Sequence, residues 1–318
     1  MKTGRFDPRH RDAISIDSRS AHEPRVVRRT TPWHFRLAKW LIRQGRFGGY
    51  HWVELAERLG WLTIDVRFTL DRGVTLDVPL DRRPNQWALP DLLAYERPLV
   101  AEFVRAAGRE SGPVRWVDVG ADIGALSALV ASQVERIDEA WGFEPNPLGF
   151  SYLSRNFERL PGRCTARRYA VGDYAGRGRL VRAAEDASDH AMYLEPDAEG
   201  DLEVVRLDDL LTWDDGLLML KVDVEGGELA VLQGAEQLLR RMPRWIVAFE
   251  AHRGVCRRTG IDPSLCLRWL QSLRKANAHV AECPQLPLDG GRAFFDQLPC
   301  ELTVVNVVCR TDSGCDLR

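Results

Sequence analysis

The sequence lacks the features that mark several protein classes. No apolar run among its 318 residues approaches the ~18 residues that a membrane-spanning helix needs. The N-terminal stretch MKTGRFDPRHRDAISIDSRS has no apolar core typical of a secretory signal. Lys and Arg (44) nearly balance Asp and Glu (46), whereas a nucleic-acid binder usually carries a large basic excess. We therefore expect a cytoplasmic protein with no transmembrane segment and no nucleic-acid partner.

Cysteine pairs and metal-ligand spacings are missing as well. The seven cysteines are scattered, odd in number and never in a Cys-x-x-Cys pair, which favours a reducing compartment over a disulfide framework or a zinc site. No other spacing typical of a metal site is visible, so we predict no metal. Hydrophobic residues make up 45% and charged residues 28%, which is typical of a globular protein of one large domain or two smaller ones.

The composition changes twice along the chain and suggests three regions. Residues 1–30 are polar and basic, and we expect a disordered arm there. Residues 31–90 hold a tryptophan-rich helical segment (31–62) and a β-hairpin, whose alternating strands 64–70 and 74–80 flank the turn residues Asp-Arg-Gly. Residues 91–318 form the main domain, which begins with a predicted helix over 91–107.

The tryptophan-rich segment has two interpretations. Trp33, Leu37, Trp40 and Leu41 lie on one face of a helix, with basic residues on the other. The segment is either a cap that packs on the sheet edge and helps to form an acceptor pocket, or a basic amphipathic helix over about 33–46 that contacts anionic lipid. An apolar helix face more often packs against the protein, which favours the cap.

The main domain reads as an α/β fold. Short apolar runs separated by helical patterns predict βαβ units and a mostly parallel sheet. The runs are 114–119, 139–143, 167–171, 217–222, 245–249, 278–282 and 302–309. Glycines and acidic clusters break the pattern over 174–206, where we expect a small antiparallel excursion or a flexible loop.

Acidic residues stand at the carboxyl ends of five successive predicted strands, where open α/β sheets bind their ligands. They are Asp118, Glu144, Asp173, Asp223 with Glu225, and Glu250, which His252 follows. Any one of them could be a solvated strand end, but five in sequence favour a binding site at that edge.

The segment VDVGADIG predicts a strand, a tight glycine turn and a helix start. Gly120 and Gly124 serve either packing or a close approach to a ligand. Glu144, twenty residues beyond Gly124, has the spacing of an acid that binds ribose hydroxyls. A dinucleotide site needs further glycines where Asp122 and Ser127 stand, and the Asp122 carboxylate would repel a pyrophosphate. S-adenosylmethionine, with a sulfonium, an ammonium and no phosphate, fits this turn better.

Several motifs together resemble the FkbM-type methyltransferases. They are VDVGADIGALSALVA, FEPNP, AVGD and LKVDVEGGELAVLQGA, followed by a strand that ends in glutamate, over residues 93–252. The resemblance implies a Rossmann-like, seven-stranded sheet with an antiparallel last strand. It also implies S-adenosylmethionine as cofactor and methyl transfer to a hydroxyl oxygen of a sugar, glycolipid or other small molecule. The family usually has asparagine where this chain has Asp122.

The resemblance also implies roles for individual residues. The turn residues Asp118, Gly120, Ala121, Asp122 and Gly124 would shape the methionine end of the cofactor site. Glu144 would bind the ribose, and Val171 and Asp173 would flank the adenine. An ordinary core position in a strand is the alternative for Val171.

Lys221, Asp223 and His252 are the candidate catalytic residues. Only four of the 44 basic residues are lysines, so a lysine inside the apolar run LLMLKV calls for an explanation. Lys221 either forms a structural ion pair with Asp223 or Glu250, or takes part directly in catalysis. Asp223 or His252 could accept the acceptor's proton, or Asp223 could hold a magnesium ion, although His252 could equally be a hydrogen-bonded surface group.

Two functions from other classes compete with methyl transfer. One is a catalytically silent nucleoside-binding or scaffold protein that its N-terminal segment recruits to a partner. The other is a nicotinamide dehydrogenase, which Asp122 and the missing glycine disfavour.

Overall fold

The structure is a computed structural model that describes residues 28–29, 58–59, 65–79, 96–182, 192–286, 288 and 291–311. Most of the predicted arm over 1–30, most of the tryptophan-rich segment over 31–62 and the start of the helix predicted over 91–107 lie outside these residues. None of the helices in the described ranges is long and apolar enough to cross a membrane.

Fourteen strands and eight α-helices make up the described part of the chain. The strands are β1 (Arg28–Arg29), β2 (Asp65–Thr69), β3 (Thr75–Pro79), β4 (Val114–Val119), β5 (Glu139–Phe143), β6 (Arg163–Arg167), β7 (Ala170–Val171), β8 (Gly176–Arg182), β9 (Met192–Pro196), β10 (Leu202–Val205), β11 (Leu217–Val222), β12 (Arg244–His252), β13 (Ala276–Val280) and β14 (Val304–Thr311). The helices are α1 (Arg97–Ala107), α2 (Ala125–Gln133), α3 (Pro147–Phe157), α4 (Leu207–Leu210), α5 (Glu228–Gln233), α6 (Glu236–Arg241), α7 (Arg253–Thr259) and α8 (Ser264–Leu273).

A seven-stranded sheet forms the centre of the molecule. Its strand order is β13-β14-β12-β11-β4-β5-β6, and β14 runs antiparallel to both of its neighbours while the other pairs are parallel. The prediction of a mostly parallel sheet with an antiparallel last strand is therefore confirmed. All six residues of β11 are buried, because apolar layers cover both faces of the sheet.

The third strand of the large sheet differs from its prediction. The run 167–171 was expected to supply it, but β6 (Arg163–Arg167) pairs with β5 instead. Ala170 and Val171 form β7, which pairs with β10 in a separate four-stranded sheet of order β7-β10-β8-β9. The prediction followed the apolar run, whereas an edge strand such as β6 is only half covered and carries mixed residues. The expected antiparallel excursion after residue 174 is this second, small sheet.

The β2–β3 hairpin packs into the core of the large sheet. Its alternating residues, among them Val66, Phe68 and Leu76, are buried in one cluster with α1, α2 and β4. Arg72 (φ 59°) and Gly73 (φ 75°) turn the chain between the two strands. The buried Asn156 amide accepts from the Asp77 N–H (2.9 Å) and donates to the carbonyl oxygens of Asp77 (3.0 Å) and Ile123 (2.7 Å). It thereby ties the hairpin to the glycine turn.

Candidate active site

The turn between β4 and α2 brings the backbone close to its neighbours. Gly120 has a φ of +76°, and a Cβ there would lie 1.7 Å from the Asp223 carbonyl oxygen, so only glycine fits. Gly124 has a φ of +80°, and a Cβ there would lie 3.0 Å from the Leu153 side chain. Asp122 also has a left-handed conformation (φ 48°), which Asn and Asp tolerate better than other side chains do. The Asn-to-Asp departure from the family pattern therefore suits the backbone.

Glu144, at the end of β5, is held by two backbone groups. Its Oε2 accepts from the Asp122 N–H and its Oε1 from the Asn146 N–H, both at 2.8 Å. The residue is buried (8% exposed) yet lines the cavity described next. The two backbone N–H groups therefore fix the orientation of the Glu144 carboxylate at the lining of the cavity.

A cavity of about 400 Å³ lies between the carboxyl edge of the large sheet and the small sheet. The predicted site residues Gly120, Asp122, Glu144, Val171, Asp173 and Asp223 line it. The predicted residues Asp118, Ala121, Gly124, Lys221 and His252 do not line it. The structure therefore brings the predicted ribose and adenine residues together with one of the three candidate catalytic residues.

Asp118 supports the site from inside the sheet. It is buried and accepts from the Ser127 hydroxyl (2.6 Å), which in turn accepts from the Trp116 indole N–H (2.8 Å). Burial raises the pKa of the Asp118 carboxyl to about 6. Lys221 lies opposite Asp118 on β11.

Lys221 and Asp223 form an ion pair at the end of β11, with 2.9 Å between Nζ and Oδ2. Burial lowers the pKa of Lys221, but the carboxylates around it raise the pKa by more, so the ammonium stays charged. Asp223 is 29% exposed and reaches the cavity, whereas Lys221 is buried. This geometry is compatible with a structural pair, because Asp223 is the ion-pair partner of the buried Lys221. It is also compatible with a catalytic pair, because the Asp223 carboxylate reaches the cavity.

Two further acids surround the ammonium of Lys221, and sequence reasoning missed Glu96. Burial raises the pKa of Glu96 to about 7, and its Oε2 is inaccessible to solvent and has no hydrogen-bond partner among the described residues. Burial and the nearby Asp223 carboxylate raise the pKa of Glu250 well above its ordinary value. Glu96 precedes α1 and is far from every motif, so no local signal marks it.

His252 has a structural contact that its sequence position did not reveal. Its Nδ1 accepts from the Val255 N–H (3.1 Å) and caps the first turn of α7. That lone pair is therefore engaged, and the ring does not line the cavity. The prediction that His252 acts as a base remains a prediction.

Sequence reasoning also missed the wall that the small sheet supplies. Tyr174, Met192 and Tyr193 line the cavity opposite the large sheet. Arg258, on α7, lies 5.2 Å from the Tyr193 ring centroid and donates to the Glu225 carbonyl oxygen (3.0 Å). Arg258 thus connects the small sheet to the loop after β11, where Glu225 has a strained φ of 56°. These residues have no motif, and only the tertiary fold brings them together.

Within the described ranges, no group of three or more His, Cys, Asp or Glu residues has the geometry of a metal site. The acids near Lys221 act on its ammonium, since their carboxylates raise the pKa of Lys221. The arrangement offers a ligand a partly aromatic cavity, a carboxylate held by two backbone N–H groups and further acidic side chains in the lining.

The chain belongs to the FkbM methyltransferase family, because the model of the methyltransferase FkbM domain matches residues 118–280. That span runs from the buried aspartate of β4 to the end of β13 and includes every predicted site residue.

The chain is also similar to individual proteins. A hexuronic acid methyltransferase, AglP, from Haloferax volcanii is 28% identical over 173 residues, which cover 53% of this chain and 67% of the relative. A solved FkbM methyltransferase from Methylobacillus flagellatus is 16% identical with a TM-score of 0.39 over 71% of this chain, and the match spans about half (53%) of that chain. A precorrin-6y C5,15-methyltransferase from Geobacter metallireducens is 13% identical with a TM-score of 0.35 over 67% of this chain and 88% of its own.

Proposed function

We propose that the protein transfers a methyl group from S-adenosylmethionine to a hydroxyl oxygen of a sugar, glycolipid or other small metabolite. The observation that supports this most directly is the position of Glu144, whose two oxygens are fixed by backbone N–H groups at the floor of the cavity. The similarity to a hexuronic acid methyltransferase supports a sugar acceptor.

The residues around the cavity fit the cofactor. The volume of about 400 Å³ lies within the range of small-molecule sites. Glu144 would accept from the ribose hydroxyls, Asp173 would accept from the adenine amine, and the Val171 side chain would contact the ring. The absence of a side chain at Gly120 would let the turn approach the methionine end of the cofactor. Asp122 lines the cavity at the same turn, where its carboxylate would repel a pyrophosphate.

The chain's own contribution to the chemistry is alignment and a proton acceptor. The bound cofactor would supply a methyl group already activated by its positive sulfur. Asp223 reaches the cavity from the end of β11 and would take the acceptor's hydroxyl proton. Lys221, 2.9 Å away, would hold the carboxylate in place. Asp118 and Glu96 balance the charge of Lys221 from inside the fold.

A catalytically silent nucleoside-binding protein is the alternative. It would keep Glu144 and the cavity but would not need a carboxylate that reaches the cavity next to a buried lysine. The Lys221–Asp223 pair favours the enzyme, because a buried charge pair is costly unless something requires it.

The experiment combines a binding and a turnover measurement. Titration calorimetry should show S-adenosylmethionine binding, and Glu144→Ala should weaken it by roughly 1.5–3 kcal/mol, as for lost hydrogen bonds to a charged group. Glu158→Ala, an exposed glutamate outside the cavity, is the matched control and should bind normally. Transfer of a labelled methyl group into a cell extract, followed by mass spectrometry, should then identify the product. Binding without any transfer would favour the silent protein, and unchanged binding in a folded Glu144→Ala variant would contradict the site.

A further inference from the structure

One strand in the lining of the cavity has no role in binding the cofactor. It is β9, from which Met192, Tyr193 and Leu194 line the cavity. The predicted ribose and adenine residues, Glu144 and Val171, belong to other elements of the lining, β7 and the end of β5. A methyltransferase must hold an acceptor beside its cofactor, so we examine β9 as a wall for the acceptor.

The strand order of the small sheet separates β9 from the predicted adenine end. The order is β7-β10-β8-β9, so Val171 on β7 and Tyr193 on β9 lie at opposite edges of the described strands. Three spacings between neighbouring strands put β9 about 14 Å from β7 across the sheet. A part of a ligand that packs on Tyr193 is therefore a different part from the adenine that Val171 would contact.

Arg258 connects Tyr193 to the loop that carries the proposed proton acceptor. Its guanidinium carbon lies 5.2 Å from the centroid of the Tyr193 ring, and its Nη2 donates to the Glu225 carbonyl oxygen at 3.0 Å. Glu225 follows Asp223 by two residues, and both line the cavity. The acceptor's hydroxyl has to lie next to Asp223 for the transfer, so the Tyr193 ring lies on the side of the cavity where the acceptor would be.

The Tyr193 side chain offers a ligand its ring rather than its hydroxyl. The hydroxyl lies 3.4 Å from Glu195 Oε1, and the Glu195 carboxylate, which does not line the cavity, also pairs with Arg179 at 3.1 Å. Met192 and Leu194 extend the apolar part of this wall. An aromatic ring in a binding site packs on apolar surface, and a sugar ring presents such a surface in its C–H face, with hydroxyls around the rim.

We propose that Tyr193 is the specificity-determining residue of the acceptor subsite, where a sugar ring packs its C–H face on the tyrosine ring while one of its hydroxyls reaches Asp223. Arg258 is a positioning residue that holds the Tyr193 ring next to the loop after β11. The inference rests on the proposed function and adds to it the place and the ring shape of the acceptor. No bond forms or breaks at Tyr193, so its contribution is to binding.

The test separates acceptor binding from cofactor binding on the full chain. Calorimetry measures the affinity for S-adenosylmethionine, and labelled-methyl transfer into a dilution series of the small-molecule and lipid fractions of a cell extract measures how much acceptor half-saturates the protein. Tyr193→Ala and Tyr193→Leu should keep the cofactor affinity within about twofold and raise the half-saturating amount on the order of tenfold. Retained cofactor binding shows that a variant is folded. Tyr193→Phe keeps the ring and should recover most of the loss.

Three further variants serve as comparisons. Arg258→Ala should raise the half-saturating amount severalfold, because the Tyr193 ring loses its support. Arg257→Ala is the matched control, since Arg257 is exposed and does not line the cavity, and it should behave as wild type. Tyr174→Ala removes the other tyrosine of the same wall, next to Asp173 at the predicted adenine end, so it should weaken cofactor binding instead.

Each outcome has one meaning. Wild-type saturation in Tyr193→Ala would overturn the inference while the proposed function stands. Cofactor affinity that falls in Tyr193→Ala as it does in Tyr174→Ala would also overturn it, because the ring would then belong to the cofactor site. A labelled product without a sugar ring would refute the shape of the acceptor. Wild-type protein that binds S-adenosylmethionine and methylates nothing would overturn the proposed function, and the inference with it.

Discussion

The two sheets that enclose the cavity differ in how they are stabilised. In the large sheet, β11 is buried along its whole length, and clusters of more than twenty apolar residues cover each face. In the described part of the chain, the small sheet has a separate cluster of three buried apolar residues, Ala170, Leu202 and Val204, while its Val171 and Val205 belong to a cluster of the large sheet. Each sheet nevertheless supplies one wall of the same cavity.

This difference suggests that the large sheet positions the site residues and that the small sheet covers the ligand. The large sheet carries Gly120, Glu144 and Asp223, whose positions would have to be accurate for the proposed binding and transfer. The small sheet and its loop carry Tyr174 and Tyr193, which would cover the ligand, besides Val171, which would contact the adenine. Regions with few buried contacts open at lower free energy than the global unfolding transition, so we expect the small sheet to open first when a ligand exchanges.

The largest effect should come from a change at the contact between β4 and β11. Gly120→Ala would place a Cβ 1.7 Å from the Asp223 carbonyl oxygen and would also strain a φ of +76°. Overpacking and the left-handed backbone together should lower the free energy of unfolding by about 3 kcal/mol or more. Gly260→Ala has a similar φ of +72° with nothing within 4 Å of its Cβ, so denaturant unfolding should show only the smaller backbone cost. Similar losses in both variants would contradict the contact.

A matched pair of truncations tests the comparison directly. Val222→Ala in β11 and Val204→Ala in β10 remove the same two methyl groups from buried positions. Val222→Ala should lower global stability by about 1–2.5 kcal/mol, because the large sheet is part of the global unfolding unit. Val204→Ala should instead speed amide exchange in β8 to β10 and leave the global transition closer to wild type. Equal losses of global stability would mean that the two sheets unfold as one unit.

The buried acid near Lys221 should make stability depend on pH. The pKa of Glu96 rises from 4.5 to about 7 on folding, so its stabilising contribution is present below pH 4.5 and is lost as the pH rises through about 7. Glu96→Gln removes this dependence, and the variant should gain stability relative to wild type between pH 4.5 and 7. Urea unfolding at several pH values measures the difference. A difference that stays constant across this range would show that Glu96 titrates normally.

The smallest effect concerns the strained loop after β11. Glu225 has a φ of 56°, and Glu225→Gly should recover about 0.5–1 kcal/mol of strain, offset in part by the entropy of glycine in the unfolded chain. Glu225→Ala, which loses the same carboxylate and keeps the strain, separates the two contributions. If thermal unfolding places the glycine variant below the alanine variant, the strain is not significant.

The sequence predicted most strands of the large sheet, but it did not predict the site residues that only the tertiary fold brings together. The period of the apolar runs gave six of the seven strands of the large sheet, because buried parallel strands are continuous apolar segments. The edge strand β6 has no such run, so the prediction moved to Ala170 and Val171 in the small sheet. At the site, Glu144 was found because its spacing from Gly124 is local. Arg258 lies more than 100 residues from the turn and Glu96 directly precedes α1, outside every motif, and neither has a spacing that could mark it.

The close contact between Gly120 and the Asp223 carbonyl oxygen also limits how such an enzyme can diversify. Two crossover loops that leave room for only a hydrogen atom between them cannot accept larger side chains without moving β4 and β11 apart. New acceptor specificities are therefore easier to build elsewhere, where residues such as Met192 and Leu194 face the cavity from a sheet that has little core to disturb. A designer who wants a new substrate should randomise that wall and leave the glycine turn intact.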